Sequence, residues 1–360
     1  MPYVKHDNLL AFAAFLSVAG SVATVWADEL IIQRGDSLFV ADGAGAAPPR
    51  KTIELGTAVD VLWAAAPDGR RLIWLTRSGA ARADTADAAA PSGLGVRPAT
   101  VYLSDSGGGH KKKLFATDAL RDRQGRLVAT LGFGQDEGKF EEWEPASVSW
   151  SADSRTVYLS GVSLVPGGGK ATFAVDAASG VAVIDARGRW KSITAATSID
   201  ARGGMMVGSG VPPAGASDTT PGPFGRPGPL LLIDLANGTR TPVFDPSSPE
   251  GTMVDFVSAG SPALAPYGRL IAFSTSGKGL WVVDRKSHAY RLLVAGDVLR
   301  PRWATDGKTL YFLLARPGTA TPAIYDLYAT DTPRDLSRDA PPPPVRLVMQ
   351  TLNWFDIAPE

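Results

Sequence analysis

Residues 303–314 read WATDGKTLYFLL: an aromatic, a short polar turn closing on Asp306-Gly307, then an unbroken apolar run. Asp-Gly between two apolar runs is a strong hairpin signal, because Gly accepts the positive φ that a tight turn needs. Working outward, the same phrase recurs at Ala65-Ala66-Pro67-Asp68-Gly69, Trp150-Ser151-Ala152-Asp153-Ser154, Ile199-Asp200-Ala201-Arg202-Gly203 and Leu264-Ala265-Pro266-Tyr267-Gly268. It returns, cut short, at Ile357-Ala358-Pro359-Glu360. A β-rich run follows each full turn: 70–76, 155–161, 204–210, 269–275 and 308–314. A third run then closes on Asp105, Asp185, Asp234, Asp284 or Asp331, and a fourth follows at 112–117, 189–194, 239–244, 290–295 and 345–350. Four short strands per unit, repeated along the chain, are the pattern of a propeller blade.

The sixth unit has no strands after its turn, and they lie at the other end of the chain. ELIIQRG (29–35), SLFVAD (37–42) and RKTIEL (50–55) read as second, third and fourth strands, with Asn353 to Pro359 supplying the innermost one. The expectation is an all-β, six-bladed propeller with four-stranded blades, closed by pairing the N- and C-terminal strands, which removes an exposed sheet edge. The widest interval, between Ala65 and Trp150, holds a further turn at Asp122-Arg123-Gln124-Gly125, so seven blades is the alternative. The stretch from Gly125 to Trp150 is too short for three more strands, and 118–145 reads as an inserted hairpin.

The turn phrases APDG, ATDG and APYG, each followed by an apolar strand and a run ending in Asp, resemble the TolB-type, WD-like propeller repeats of exported bacterial proteins. The resemblance covers most of the chain and speaks to fold more than to function. It extends to the propeller of prolyl oligopeptidase-type peptidases, but their hydrolase motif G-x-S-x-G is absent from this sequence. TolB itself carries an N-terminal α/β domain for which no space is seen between Asp28 and the first blade, so its partners are not carried over.

Bulk chemistry narrows the classes. Lys+Arg and Asp+Glu both total 36, so no global field favours nucleic acid or an anionic membrane. Cysteine is absent, which excludes disulfides and thiolate catalysis. Residues 1–27 read as a signal peptide: Lys5, an apolar stretch from Leu9 to Val22, then Val25-Trp26-Ala27 before a mature start at Asp28. An uncleaved N-terminal anchor is the alternative. A periplasmic or secreted monomer, with no membrane span after signal removal, is expected from 28–360.

In a four-stranded blade the second-to-third loops and the links between blades share one face. The expected insertions at 77–99, 162–180, 211–229, 315–322, 118–145 and 246–258 all fall there, and loops this long are commonly functional or disordered. Segment 211–229, rich in Pro, Gly and Ala, reads as a flexible loop. Within 118–145, Phe133, Phe140 and Trp143 alternate with acids including Glu141, Glu142 and Glu144, a set suited to a peptide or sugar platform. The competing reading is an aromatic hairpin packed on its own blade.

Catalytic groups are sparse. Beyond His6, the histidines are His110 and His288, both in third-to-fourth turns on the opposite face, away from any Ser-His-Asp arrangement at the loop-bearing mouth. No cofactor is expected. A Ca²⁺ held by channel carboxylates, with Asp60, Asp255 and Asp356 as ligands, belongs to an alternative in which the chain is a hydrolase- or lactonase-like enzyme. The leading expectation is a non-enzymatic propeller that binds a protein or peptide in the cell envelope through its loop-bearing face. The repeated third-strand aspartates are read as turn acceptors, and the Trp150 and Trp303 rings as core between blades.

Overall fold

The computed structural model describes residues 29–34, 37–43, 47–54, 61–77, 99–126, 143–163, 170–183, 198–202, 204–209, 230–244, 259–275, 279–318, 324–337, 340–352 and 354–358. Six antiparallel sheets follow one another and return to the start. Blade 1 contains β1 (Glu29–Arg34), β2 (Ser37–Asp42) and β3 (Arg50–Glu54). Blade 2 is β4 (Val61–Ala65), β5 (Arg71–Arg77), β6 (Ala99–Asp105) and β7 (Lys112–Ala116), and blade 3 is β8 (Trp143–Trp150), β9 (Thr156–Ser163) and β10 (Lys170–Asp176). Blade 4 runs β11 (Ser198–Arg202), β12 (Met205–Ser209), β13 (Leu230–Asp234) and β14 (Arg240–Phe244). Blade 5 runs β15 (Ala259–Leu264), β16 (Leu270–Thr275), β17 (Gly279–Asp284) and β18 (Tyr290–Val294). Blade 6 runs β19 (Val298–Trp303), β20 (Thr309–Ala315), β21 (Tyr325–Asp331) and β22 (Val345–Leu352). The last strand, β23 (Trp354–Ala358), pairs with β1 from Glu29↔Ala358 to Gln33↔Trp354 and becomes the innermost strand of blade 1. The two ends of the described chain therefore share one sheet, as the sequence predicts.

The apolar runs are continuous because both faces of each inner strand are buried, and their period of two divides them between neighbours. In β5, Ile73 and Leu75 face blade 3 while Leu72 and Trp74 face blade 1; in β16, Ile271 and Phe273 face blade 4 while Ala272 faces blade 6. The core is accordingly six clusters, one in each gap between blades, including the gap between blades 6 and 1 where Leu30, Ile32, Phe355 and Ile357 meet Tyr311, Leu313 and Leu327. The two repeat tryptophans lie in these gaps. Trp150 and Trp303 are buried and donate their indole N–H to the carbonyls of Ala64 and Ala263, 3.0 Å away in the preceding blade. Third-strand aspartates behave as turn acceptors: Asp105 takes Gly109 N–H, Asp176 takes Ser179 N–H and Asp234 takes Ala236 N–H.

Blade 3 departs from the expected register. Its third strand is KATFAVD, ending on Asp176, and not the VAVID that ends on Asp185. Phe173 and Val175 of the earlier run fill the gap to blade 2, while Ala182 bridges back to Val175, on the far side of the sheet from β9. The expected loop 162–180 shrinks to residues 164–169 between β9 and β10. At the two ends of the expected hairpin 118–145, Leu120 is core and Trp143 to Pro145 belong to β8, while residues 127–142 lie outside the described residues. The Asp122–Gly125 turn, where a seventh blade would begin, bridges instead to Ala182. Asp122 is 1% exposed and accepts Gln124 N–H, Arg126 N–H and the Arg126 guanidinium.

Candidate functional site

The innermost strands β4, β8, β11, β15, β19 and β23 line the channel, and polar side chains there clasp neighbouring blades. Ser149 accepts Ala201 N–H at 3.1 Å, Asp200 accepts Leu264 N–H at 2.8 Å and Asp356 accepts Ala65 N–H at 3.2 Å, each from the next blade round the ring. Two arginines of β19 join Asp356. A bulge between Leu299 and Arg302 puts Arg300 at φ 49, and the bulge aims its side chain across blade 1. The Arg300 guanidinium donates to Phe355 O at 2.6 Å and to Trp63 O at 3.1 Å, so one side chain of blade 6 ties blades 1 and 2. It lies 3.5 Å from the Asp356 carboxylate, and Arg302 Nε donates to the other oxygen at 3.2 Å. Burial drives the Arg300 pKa well below the ordinary arginine value, and Arg302 acts in the same direction; Asp356 and Asp200 oppose both.

The sequence-predicted residues fall as follows. Phe133, Phe140, Glu141 and Glu142 lie outside the described residues, as do Asp60 and Asp255. Trp143 and Glu144 open β8, paired with Ser163 and Val162. Asp356 is a channel residue whose carboxylate is engaged by Arg302, Ala65 N–H and Ile357 N–H. Among the described residues no group of three or more His, Cys, Asp or Glu side chains is placed to hold a metal. His110 and His288 occupy third-to-fourth turns at positive φ; His110 pairs with Asp105 at 3.0 Å, the aspartate that closes its own turn.

Sequence reasoning missed a cleft on the face opposite the expected insertions. The connection from β21 to β22, residues 332–344, is itself long, and its described residues fold over blade 5. Thr332 bonds back to Lys308 O and Gly307 O, Pro333 is buried, and Leu336 packs into the core between blades 5 and 6. Arg291 of β18, 8% exposed, donates to the carbonyls of Asp335 and Ala340 and ties the segment down. Between this segment and the two blades lies a cavity of about 970 Å³. Its acids are largely committed: Asp284 accepts Lys286 N–H, Ser287 N–H and Arg269 Nε, and Asp335 accepts Ser337 N–H and its hydroxyl. Burial alone would raise Asp284, but the Lys286 N–H and Arg269 bonds outweigh it and hold the carboxyl below its ordinary value; the Ser337 N–H bond does the same for Asp335. The signal that could have found this wall was the Pro-rich interval between Asp331 and Val345.

Comparison with known proteins gives fold and little more. No protein-family model matches the sequence, and no curated protein matches it. Among solved structures, TolB from Acinetobacter baumannii superposes with a TM-score of 0.57 at 14% identity, over 93% of this chain and 67% of that one. The β-propeller domain of the trilobed protease from Pyrococcus furiosus gives 0.43 at 14% identity, over 89% and 82%. A puromycin hydrolase gives 0.45 at 13% identity, over 89% of this chain and 42% of its own. The fold is a TolB-like six-bladed propeller. Identity at this level says nothing of what the site binds.

Proposed function

We propose that this chain is a non-enzymatic propeller of the cell envelope, periplasmic or secreted, that binds a protein or peptide through its loop-bearing face. One observation carries the reading. Arg77 pairs with Ala99 and Gly208 with Leu231 in adjacent strands, so residues 78–98 and 210–229 leave and re-enter the ring at neighbouring points of one face. The link from β7 to β8, which contains Phe133 and Phe140, leaves from the same face. A rigid ring from which these long connections all depart on one face suits a recognition scaffold, since loops on a fixed frame carry function. The export-type N-terminus and the TolB-like fold support the envelope setting. Among the described residues no helix is long and apolar enough to cross a membrane.

The engagement of Asp356 by Arg300 and Arg302 favours this reading over a channel Ca²⁺ enzyme, because the guanidinium groups already supply the positive charge. Crosslinking in an envelope extract tests the proposal. The intact protein should capture a defined partner, and a variant with residues 128–140 replaced by a Gly-Ser linker should lose it; equal capture by both overturns the choice of face. A thermal melt with and without a calcium chelator should show coincident curves, and a large drop with chelator would favour the enzyme.

A further inference from the structure

The charged side chains described on the innermost strands do not balance. They are Asp200 and Arg202 on β11, Arg300 and Arg302 on β19, and Asp356 on β23. On blade 4 acid and base stand one to one, with Arg202 Nε 3.9 Å from the Asp200 carboxylate. Where blade 6 meets blade 1 they stand two to one: Arg300 and Arg302 lie 3.5 and 3.2 Å from the single carboxylate of Asp356. None of these three residues is more than 7% exposed. A buried charge is costly unless it is paired, so two guanidinium groups on one carboxylate call for a second negative charge. Asp200 acts on Arg300 from across the ring, but it also faces Arg202 and accepts Leu264 N–H. Burial, reinforced by Arg302, keeps the Arg300 pKa low despite both carboxylates, as an excess of positive charge requires.

Arg302 marks the place where that charge belongs. Its Nε donates to Asp356 at 3.2 Å and its Nη1 to Pro301 O at 3.0 Å, while Nη2 makes no hydrogen bond among the described residues. The Arg302 side chain is only 9% exposed, so this donor has little water to turn to. Carboxylate and phosphate groups favour a two-pronged bond to guanidinium, taking Nη2 together with Nε or Nη1. Both of those neighbours are engaged here. What remains is a single donor, suited to a spherical ion that takes donors one at a time, and a surplus of one charge selects a singly charged ion over phosphate.

We infer that the channel carries an inorganic anion site: a singly charged ion of chloride's size, held by Arg302 Nη2 beside Arg300, at the seam where blades 6 and 1 close the ring. The ion completes the charge set that Asp356 begins. It favours the closed ring, because the unfolded chain offers no such site. The site is independent of the recognition face proposed above.

The test is thermal unfolding in sodium chloride exchanged for sodium gluconate at constant ionic strength, which holds screening fixed while a small anion replaces a bulky one. The melting temperature should rise with chloride along a saturating curve, by about 2 °C at about ten times the dissociation constant. Bromide should substitute for chloride. Arg302→Gln leaves Arg300 and Asp356 as a balanced pair and should abolish the dependence, whatever its own stability. Lys308→Gln, at an exposed lysine of the same blade, should retain it. Crystals of the parent protein soaked in bromide give a reading that needs no variant: an anomalous peak within hydrogen-bond reach of Arg302 Nη2 supports the site. No chloride dependence in the parent would mean that the chain itself supplies the missing charge, and would overturn the inference. So would a dependence that persists in Arg302→Gln, or bromide found at the surface as an adventitious ion only.

Discussion

Removing the Asp356 carboxylate should cost the ring a large part of its stability. Asp356 is 7% exposed, between Arg300 at 4% and Arg302 at 7%, and it accepts from Arg302 Nε and Ala65 N–H. Asp356→Ala takes the Asp356 carboxylate from two buried guanidinium groups and leaves the Ala65 N–H without that acceptor. Breaking a buried ion pair by removing one partner costs ~3–5 kcal/mol, against a total of ~5–15 kcal/mol for a domain. We therefore expect a loss of about 4 kcal/mol in urea unfolding followed by tryptophan fluorescence. Part of that loss is repulsion between Arg300 and Arg302, so Arg302→Met combined with Asp356→Ala should be less destabilised than Asp356→Ala alone. If Asp356→Ala falls within about 0.5 kcal/mol of the parent, or if the second substitution brings no recovery, the cluster is not the clasp described here.

Three further outcomes are expected. Asp326 accepts both Arg316 Nη2 and Thr351 N–H at 2.8 Å, and the Arg316 bond holds its carboxyl below the ordinary value of 3.8. A carboxylate with a lowered folded value stabilises above its unfolded pKa and loses that contribution as pH falls through the folded value. The stability gap between parent and Asp326→Asn, read from urea midpoints, should thus be constant above about pH 5 and close below about pH 4; a gap that widens on acidification contradicts the assignment. Trp303→Phe removes the bond to Ala263 O and part of a fully buried ring, for a cost of about 1.5–3 kcal/mol by the same assay, and an unchanged midpoint would deny the ring its role between blades 5 and 6. Gly108 sits at φ +85 with its missing Cβ aimed at the Thr52 carbonyl of blade 1, whereas Gly125 at φ +77 faces open space. Gly108→Ala should lower the melting temperature clearly more than Gly125→Ala; equal effects would mean that backbone strain alone, about 1–3 kcal/mol, accounts for both.

The ring was legible in the sequence because its frame is written in local patterns. Trp150 and Trp303, the Asp-Gly turns and the aspartates closing third strands each carry a short-range reason to be where they are. The third strand of blade 3 was misread because KATFAVD and VAVID are both β-rich, both end on Asp and lie close together in sequence. Only Phe173 and Val175 meeting blade 2 decides between them, and that contact is long-range. The channel cluster left a trace, two arginines in an inner strand otherwise buried, yet nothing local ties Arg300 to Trp63 O or Phe355 O. The turn-face cleft was invisible for the same reason: residues 332–337 form a wall through contacts made far away in the chain, Thr332 with Lys308 O and Gly307 O, Leu336 with the core between blades 5 and 6, and Asp335 O with Arg291.

The pairing of β1 with β23 also sets the order in which the molecule can be finished. Glu29 must await Ala358, so β1 keeps a bare inner edge while the five blades between them in the chain are being made. Contacts that span so much of a chain are slow to close. Any factor that shields an unpaired strand during synthesis would meet this protein at β1, and would be released when Trp354–Ala358 arrives.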